Sequence, residues 1–327
     1  MIPDNFGIVV IGRNEGARLI ACIGSVKRKT NNIVYVDSGS TDGSVAAAER
    51  LGVSVVRLDG AQPFSAARAR NEGFSAFEAL GKRLSFVQFI DGDCEMVDGW
   101  LSIGLAFIAE REDLAVVCGR RRERHPEIST YNRIGDFEWD TPVGEALGCG
   151  GDFIIRVEAF KAVGGFRAEL IAGEEVELCL RLRNQGWKIW RLDADMTIHD
   201  LAMTRFSQWW YRNVRSGCGC VDISWLHRNA PQSISNWLRQ LTSAVFWGGL
   251  LPGTIFLGAL MHPAALCGVL IYFLQICRIA FAWGPTSSLS WIRALFAMLA
   301  KFAEFQGILT FCWRQCRRQT SMLIEYK

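Results

Sequence analysis

The chain has little net charge: 36 lysines and arginines stand against 33 aspartates and glutamates in 327 residues, a balance of +3. So small an excess leaves no electrostatic footprint for nucleic acid, which is therefore not expected as a partner. The N-terminus, "MIPDNFGIVVIG", lacks the basic segment and long apolar stretch of a signal peptide. The eleven cysteines are an odd number without a repeated spacing, so the expectation is reduced thiols and a catalytic face in the cytosol rather than a disulfide framework. Cys218 and Cys220 in "SGCGCVDISWLHRN", near His227, lack the second pair of ligands of a structural zinc site and are read as small residues in a turn. No Walker A sequence occurs, and "IGRNEG" lacks the full dinucleotide glycine pattern after its strand. ATP hydrolysis and hydride transfer are demoted accordingly.

One stretch lacks charge altogether. Between Arg239 and Arg278 there is no Asp, Glu, Lys or Arg, and only His262 titrates weakly. These 38 residues are close to what two membrane helices of roughly 20 residues each require. "LTSAVFWGGLLPGTIFLGALMHPAALCGVLIYFLQICRIAFAW" thus predicts a tight hairpin over about 241–283, turning near Met261, His262 and Pro263. A buried helical pair in a soluble core would normally keep a polar stripe. Gly248, Gly249, Gly253 and Gly258 would let the two helices approach closely in lipid. Arg228 and Arg239 before the hairpin, and Arg278, Arg293 and Lys301 after it, place both outer ends on the cytoplasmic side. An amphipathic helix is expected over about 289–316.

The first part of the chain alternates. "FGIVVIG", "NIVYVDSG", "VSVVRLDG" and "RLSFVQFID" are short apolar runs closed by Gly or Asp. "EGARLIACIGSVKR", "STDGSVAAAERLG" and "SAARARNEGFSAFEALG" carry helical spacing between them, with Ser40 or Thr41 as the N-cap of the second. The alternation predicts βαβ units and an α/β domain with a mostly parallel sheet, whose ligands bind at the carboxyl ends of the strands.

Asp37, Asp59, Asp91 and Asp93 fall at such ends. Turn chemistry accounts for Asp59. The pair in "FIDGDCE" is harder to explain that way, because two neighbouring carboxylates repel unless something cationic lies between them. Two carboxylates one residue apart suit a hard divalent cation, Mn²⁺ or Mg²⁺, that also grips a diphosphate. Asp-x-Asp is a weak signal, and a second copy, Asp193-Ala-Asp195, occurs in "KIWRLDADMTIHD"; its position after an acidic helix makes it the lesser candidate. The glycine-rich "GCGGDF", residues 148–153, reads as a loop needing close backbone approach. In "AGEEVELCLRLRNQGW", Glu174, Glu175 and Glu177 open an amphipathic helix; they complement the helix dipole, or one serves as a general base.

Taken in order, "VVIGRNE", "VYVDSGSTDGS", "ARARNEGF", "FIDGDCE", "GCGGDFIIRVEAFKAVGGF" and "GEEVELCLRLRNQGW" resemble the family 2 glycosyltransferases with the GT-A fold, over about residues 6–200. The resemblance implies an inverting, metal-dependent hexosyltransferase that moves a sugar from a nucleotide-diphosphate sugar to a hydroxyl of a lipid-linked or saccharide acceptor. It puts Asn14 and Glu15 near the nucleoside, Asp37 on the nucleobase, Arg70 and Asn71 by the nucleotide, and Gly150, Gly151 and Asp152 in the substrate loop. It also puts Asp91 near the ribose or sugar and at the metal, with Asp93 and the further metal-proximal His199. Glu175 falls where the family usually has an aspartate as base, with Glu174 as its rival. Arg212 and Arg215 would steady the diphosphate or belong to a basic interfacial helix. The Gln-x-x-Arg-Trp signature of the processive synthases is missing, which favours single transfer. The domains implied are a catalytic domain over 1–230 and a membrane-associated helical region over 231–327, at the inner membrane with the catalytic domain facing the cytoplasm, in cell-surface polysaccharide or glycolipid synthesis. A polyprenyl-phosphate glycosyltransferase and a non-catalytic sugar-nucleotide-binding module are the alternatives.

Overall fold

The structure, a computed structural model, describes residues 2–229 and 235–317. The chain divides into two compact units, the first ending at Thr204 and the second beginning at Arg205. The domain boundary expected at residue 230 lies outside the described residues.

The first unit opens with the expected alternation: β1 (Phe6–Gly12), α1 (Ala17–Lys27), β2 (Ile33–Asp37), α2 (Ser44–Arg50), β3 (Ser54–Arg57), α3 (Ala66–Ala79) and β4 (Phe86–Asp91). It continues through β5 (Cys94–Met96), α4 (Trp100–Ala109), β6 (Leu114–Glu123), α5 (Thr130–Glu138), β7 (Gly144–Ala146), β8 (Phe153–Arg156), α6 (Val157–Ala162), α7 (Glu174–Asn184) and β9 (Lys188–His199). One sheet runs β3-β2-β1-β4-β8-β6-β9-β5, with β7 paired to β9.

From β3 to β4 every pairing is parallel. Beyond β4 the sheet is mixed, because β8 runs antiparallel to both β4 and β6 while β6 and β9 are parallel. The expectation of a mostly parallel sheet therefore holds for the first half only. The antiparallel strand has a geometric consequence. The carboxyl ends of β1, β2, β4, β6 and β9 share one edge of the sheet, and β8 begins at that same edge, so the residue before it meets the residues that end β4.

The strands are apolar on both faces: all residues of β2 and all but the last of β1 are buried, because helices cover both sides. Close packing of α3 on the sheet requires a glycine, since a Cβ on Gly73 would fall 2.4 Å from Val9 Cγ1 and 2.9 Å from Val36 Cγ2. The second helix starts later than its sequence suggests. Gly43, in the left-handed region, is its N-cap, and the expected caps are engaged elsewhere: the Ser40 hydroxyl accepts the Asn14 N–H, and the Thr41 N–H donates to Asn14 Oδ1. The Ser44 N–H is taken by Asp42 Oδ1 at 3.0 Å.

The second unit is helical: α8 (Phe206–Leu226), α9 (Ser235–Val245), a π turn (Phe246–Leu250), α10 (Leu251–Met261), a 3₁₀ segment (Pro263–Val269), α11 (Leu270–Ala282) and α12 (Ser288–Cys316). The chain reverses at His262, which is extended (φ −153°). Three segments among the described residues are long and apolar enough to cross a membrane: Ser235–Met261, Pro263–Ala282 and Ser288–Cys316, with mean hydropathies of 1.7, 2.0 and 1.4. The first two contain the expected hairpin. The third, expected as an amphipathic helix, also qualifies because its charges are thinly spread. Two of the glycines expected between the hairpin helices face α12 instead, a Cβ on Gly248 falling 2.3 Å from Lys301 O and one on Gly249 2.4 Å from Phe305 Cζ. Gly258 does meet the returning chain, at Ala265, and Gly253 meets nothing within 4 Å. Cys218 and Cys220 lie within α8 rather than in a turn, where their thiols donate to Gly307 O and Trp237 O.

Replacing Gly73 with alanine is expected to destabilise the first unit by about 1–3 kcal/mol through overpacking, measured as a lower thermal or denaturant midpoint. An unchanged midpoint would contradict this packing of α3 on β1 and β2.

Candidate active site

Asp91 ends β4 and Asp93 follows across Gly92, where a Cβ would lie 3.0 Å from the Ile11 carbonyl oxygen. Asp91 is clamped between two arginines. Arg70 Nη2 lies 2.9 Å from Asp91 Oδ1, and Arg121 Nη2 lies 3.1 Å from Asp91 Oδ2. Each guanidinium reaches a second carboxylate as well: Arg70 Nη1 to Glu174 Oε1 at 2.8 Å, and Arg121 Nη2 to Asp152 Oδ2 at 2.9 Å. Burial alone would lower the pKa of Arg70, but Asp91 and Glu174 outweigh it and hold the guanidinium firmly charged.

Asp152, the residue before β8, is fully buried. Its Oδ1 accepts the Asp91 N–H at 3.0 Å and its Oδ2 the Thr197 hydroxyl at 2.6 Å. It braces Asp91 from behind. Gly151 must be glycine, since a Cβ there would sit 2.6 Å from Asp91 Oδ2 and 2.7 Å from Arg70 Nη2. Gly150 is exposed, with nothing within 4 Å of an added Cβ.

Asp93 turns to a different partner. Its Oδ2 lies 3.3 Å from His199 Nε2 at the end of β9, and both side chains are buried. Behind the imidazole, His199 Nδ1 lies 3.7 Å from Glu123 Oε2, and the Trp139 ring meets it edge-to-face at 4.8 Å. Burial holds the His199 pKa below its usual value, which favours the neutral imidazole that ligates metals. A carboxylate and a neutral imidazole backed by a second carboxylate fit a divalent cation. The neighbouring Cys94 thiol, 3.7 Å from Asp93 Oδ1, is pushed well up by burial and stays protonated, which disfavours a soft metal. Asp193 and Asp195 lie within β9 and face outward, Asp195 half-exposed near Arg122.

The two glutamates at the start of α7 are now distinct. Glu174 is buried in its ion pair with Arg70, while Glu175 makes no ion pair among the described residues. The Glu175 carboxyl is pushed up to about 7, first by burial and then by the Glu174 charge, against the pull of Arg70. A carboxyl titrating near neutrality beside a charged cluster is suited to moving a proton. Glu177 is committed elsewhere, with Arg181 Nη2 at 2.7 Å and Arg167 Nε at 3.1 Å.

The remaining expected residues shape loops at the same edge. Asn14 adopts a left-handed conformation (φ 56°) and binds the loop after β2 through Ser40 and Thr41 at 2.8 and 2.7 Å. Glu15 pairs with Arg18 at 2.7 Å. The Asp37 carboxylate accepts the Tyr35 hydroxyl and the N–H groups of Gly39 and Ser40 at 2.9–3.0 Å, so it fixes the loop conformation. The Asn71 amide is paired at both ends with the Phe166 main chain, at 2.8 and 2.9 Å, and pins the segment leading to α7 rather than joining the carboxylate cluster. Asp59 closes a turn on Ala61. Arg212 and Arg215 belong to α8, in the second unit.

Sequence reasoning missed Arg121, Glu123 and Trp139. A period-2 reading of "GRRRE" as strand would have put Arg121 and Glu123 on one face and Arg120 and Arg122 on the other. The second pair does meet other acids, Arg120 with Asp136 and Asp140, and Arg122 with Asp136 and Asp195.

The family model for glycosyl transferase family 2 matches residues 7–164. Among curated proteins, the chain is 26% identical over 204 residues to the succinoglycan biosynthesis protein ExoA of Rhizobium meliloti, covering 59% of this chain and 62% of that protein. It is also 42% identical over 55 residues to an uncharacterized glycosyltransferase of Rickettsia conorii, covering 17% of this chain and 20% of that one. The chain thus spans less than two thirds of the length of these relatives. Among solved structures, a mannosyltransferase from Pyrobaculum calidifontis in complex with GDP-Man and Mn²⁺ superposes with a TM-score of 0.59 at 15% identity, over 95% of this chain and 88% of that one. Residues 1–349 of S. aureus TarS in complex with UDP-GlcNAc give a TM-score of 0.52 at 14% identity, over 96% and 92%. At such identity the likeness is one of fold, and the fold is GT-A.

Asp91→Ala would leave two buried guanidiniums sharing what remains of the cluster and is expected to destabilise the first unit by about 3–5 kcal/mol. Asp195→Ala, on the exposed face of β9, is expected to stay within about 0.5 kcal/mol. Denaturant midpoints of the two variants check this, and equal midpoints would contradict the clamp.

Proposed function

We propose, from the premise that residues 7–164 are a family 2 glycosyltransferase domain, that the chain is an inverting, metal-dependent glycosyltransferase. It takes a sugar from a nucleotide-diphosphate donor to a hydroxyl of a lipid-linked or saccharide acceptor. The observation that carries the reading is the place of Glu175, which makes no ion pair among the described residues and stands beside Glu174, held by Arg70 at 2.8 Å; burial and the Glu174 charge push its carboxyl up to about 7. An alcohol needs a base, and a carboxyl of this pKa is matched to cytosolic pH.

Asp93 and His199 would hold the cation, Mn²⁺ or Mg²⁺. When bound, it supplies charge stabilisation for the departing diphosphate. The chain's own residues do the rest. The loops fixed by Asn14 and Asp37 would receive the nucleoside. Arg70 and Arg121 hold Asp91 in place beside the Gly151 main chain, where the donor sugar would lie. Glu175 takes the proton of the acceptor hydroxyl as its oxygen forms a bond to the anomeric carbon and the bond from that carbon to the diphosphate breaks, so configuration inverts. Glu174 keeps Arg70 in place and does not itself react.

The bound ligands of the two structural neighbours, GDP-Man with Mn²⁺ and UDP-GlcNAc, support a nucleotide-sugar donor. The name of the Rhizobium relative supports cell-surface polysaccharide synthesis, and the apolar C-terminal helices support action at the inner membrane, with the catalytic domain on the cytoplasmic side.

Glu175→Gln is expected to lower turnover by about 10² to 10⁴ with donor affinity little changed. Because the base works as the carboxylate, wild-type kcat/KM should rise with pH through about 7 and level off above it; the variant should lack this limb. Near-normal turnover in both Glu175→Gln and Glu174→Gln would point to an acceptor that needs no base, such as a lipid phosphate. Donor binding in Asp93→Ala should lose its dependence on Mn²⁺, measured by titration calorimetry, while Asp195→Ala keeps it. The reverse result would move the metal site to the second pair.

A further inference from the structure

Glu123 stands apart from Asp152, Glu174 and Glu177. Each of those buried carboxylates is paired with an arginine, whereas Glu123 meets no arginine or lysine among the described residues, and the one ionisable side chain facing it is His199. It ends β6 directly opposite His199 in the β6–β9 pairing, and its side chain is fully buried.

Three neutral donors fix its carboxylate. Oε1 accepts Asn132 Nδ2 at 3.1 Å and the His125 N–H at 3.2 Å, and Oε2 accepts the Leu201 N–H at 3.0 Å. Asn132 is itself buried and fully engaged: its Nδ2 also reaches His125 O at 3.1 Å, and its Oδ1 accepts the Met203 N–H at 3.1 Å. Between Leu201 and Met203, Ala202 has a left-handed backbone (φ 49°), a conformation that an alanine keeps only where its surroundings impose it. Glu123 and Asn132 impose it from the two sides.

Those contacts would serve to staple the turn after His199 to β6, and they need no imidazole. The imidazole adds an observation of another kind. His199 Nδ1 is buried and has no hydrogen-bond partner among the described residues. Glu123 Oε2 lies 3.7 Å from it, just beyond hydrogen-bond length, and Asp93 Oδ2 lies 3.3 Å from Nε2 on the other side of the ring. A neutral imidazole has one proton for these two carboxylates, and the nitrogen that carries it cannot ligate a metal.

We propose that Glu123 is a positioning residue for the cation site: it receives the His199 proton on Nδ1, so that Nε2 turns its lone pair toward the space beside Asp93, and Asn132 holds Glu123 in the rotamer that does this. The inference rests on the reading of Asp93 and His199 as cation ligands. It assigns no contact between Glu123 and the cation itself. Carboxylates placed behind a ligating histidine fix its tautomer and orientation, and their loss weakens metal binding by about 10–100-fold.

The test uses the full-length chain with Mn²⁺ as the probe, its free ion followed by electron paramagnetic resonance. Glu123→Gln keeps the side-chain length and an acceptor for Asn132 and His125, but it can turn an N–H on Nδ1 and drive the proton to Nε2. Mn²⁺ affinity should fall by about 10–100-fold. In a His199→Ala background the same substitution should cost nothing further, because the effect runs through the imidazole. With only four histidines in the chain, ¹⁵N-histidine spectra of the metal-free protein should place the His199 proton on Nδ1 in the wild type and on Nε2 in Glu123→Gln. Where Glu123→Gln does not fold, Asn132→Ala carries the same cycle, and its loss of Mn²⁺ affinity should likewise disappear in His199→Ala. Equal losses in both backgrounds, or wild-type affinity with only a lower denaturant midpoint, would reduce Glu123 to a staple and overturn the proposal, as would a wild-type proton on Nε2. Wild-type Mn²⁺ affinity in His199→Ala would overturn the cation reading itself; a loss there with none in Glu123→Gln would overturn the role of Glu123 alone.

Discussion

The site depends on one carboxylate shared between two buried guanidiniums. Asp91 neutralises part of the charge of both Arg70 and Arg121, and each arginine passes the constraint on, to Glu174 at the start of α7 and to Asp152 before β8. Such a network is costly to assemble in low dielectric and worth keeping only if every member is satisfied. Here every charge has an opposite partner, although Arg70 Nε has no hydrogen-bond partner among the described residues, and the pairing has a chemical consequence. Burial and then the Glu174 charge push the Glu175 carboxyl up to about 7, and Arg70, shared between Asp91 and Glu174, offsets this only in part.

Topology makes the cluster possible. An antiparallel β8 between β4 and β6 brings the start of one strand to the ends of its neighbours, so that Asp152 can accept the main-chain N–H of Asp91. The loop that does this has no room for a side chain at Gly151. Two functions of the same strand end are then separated by one glycine: Asp91 faces arginines, and two residues on, Asp93 faces His199.

The first half of the sheet was legible because β1, β2 and β4 are buried on both faces and read as unbroken apolar runs with turn residues after them, while the half-exposed edge strand β3 still shows its two valines before a turn. The short strands β5, β7 and β8, of three, three and four residues, are too brief for periodicity to register, and with them the antiparallel pairings were lost. Asp91 and Asp93 were visible from their spacing, and Glu174 and Glu175 as a pair. Which glutamate is free was not, because it depends on Arg70, 104 positions from Glu174. His199 came only from resemblance. Arg121 and Glu123 were hidden in a run of charges that reads as solvated surface, although alternate residues of that strand point inward. In the helical unit, Gly258 meets the returning chain as expected and Gly253 meets nothing within 4 Å, whereas Gly248 and Gly249 approach α12, because spacing along one helix says nothing about which neighbour fills the groove.

The central claim is that this cluster binds a nucleotide-diphosphate sugar through a divalent cation and breaks its glycosidic phosphate bond. The most direct measurement is titration of the purified full-length chain with a panel of nucleotide sugars, with Mn²⁺, with Mg²⁺ and with chelator, following heat of binding and release of nucleoside diphosphate. The account predicts that at least one donor binds and is turned over only when a divalent cation is present. Failure of every donor to bind in all three conditions, or equal binding and release in chelator, would contradict it.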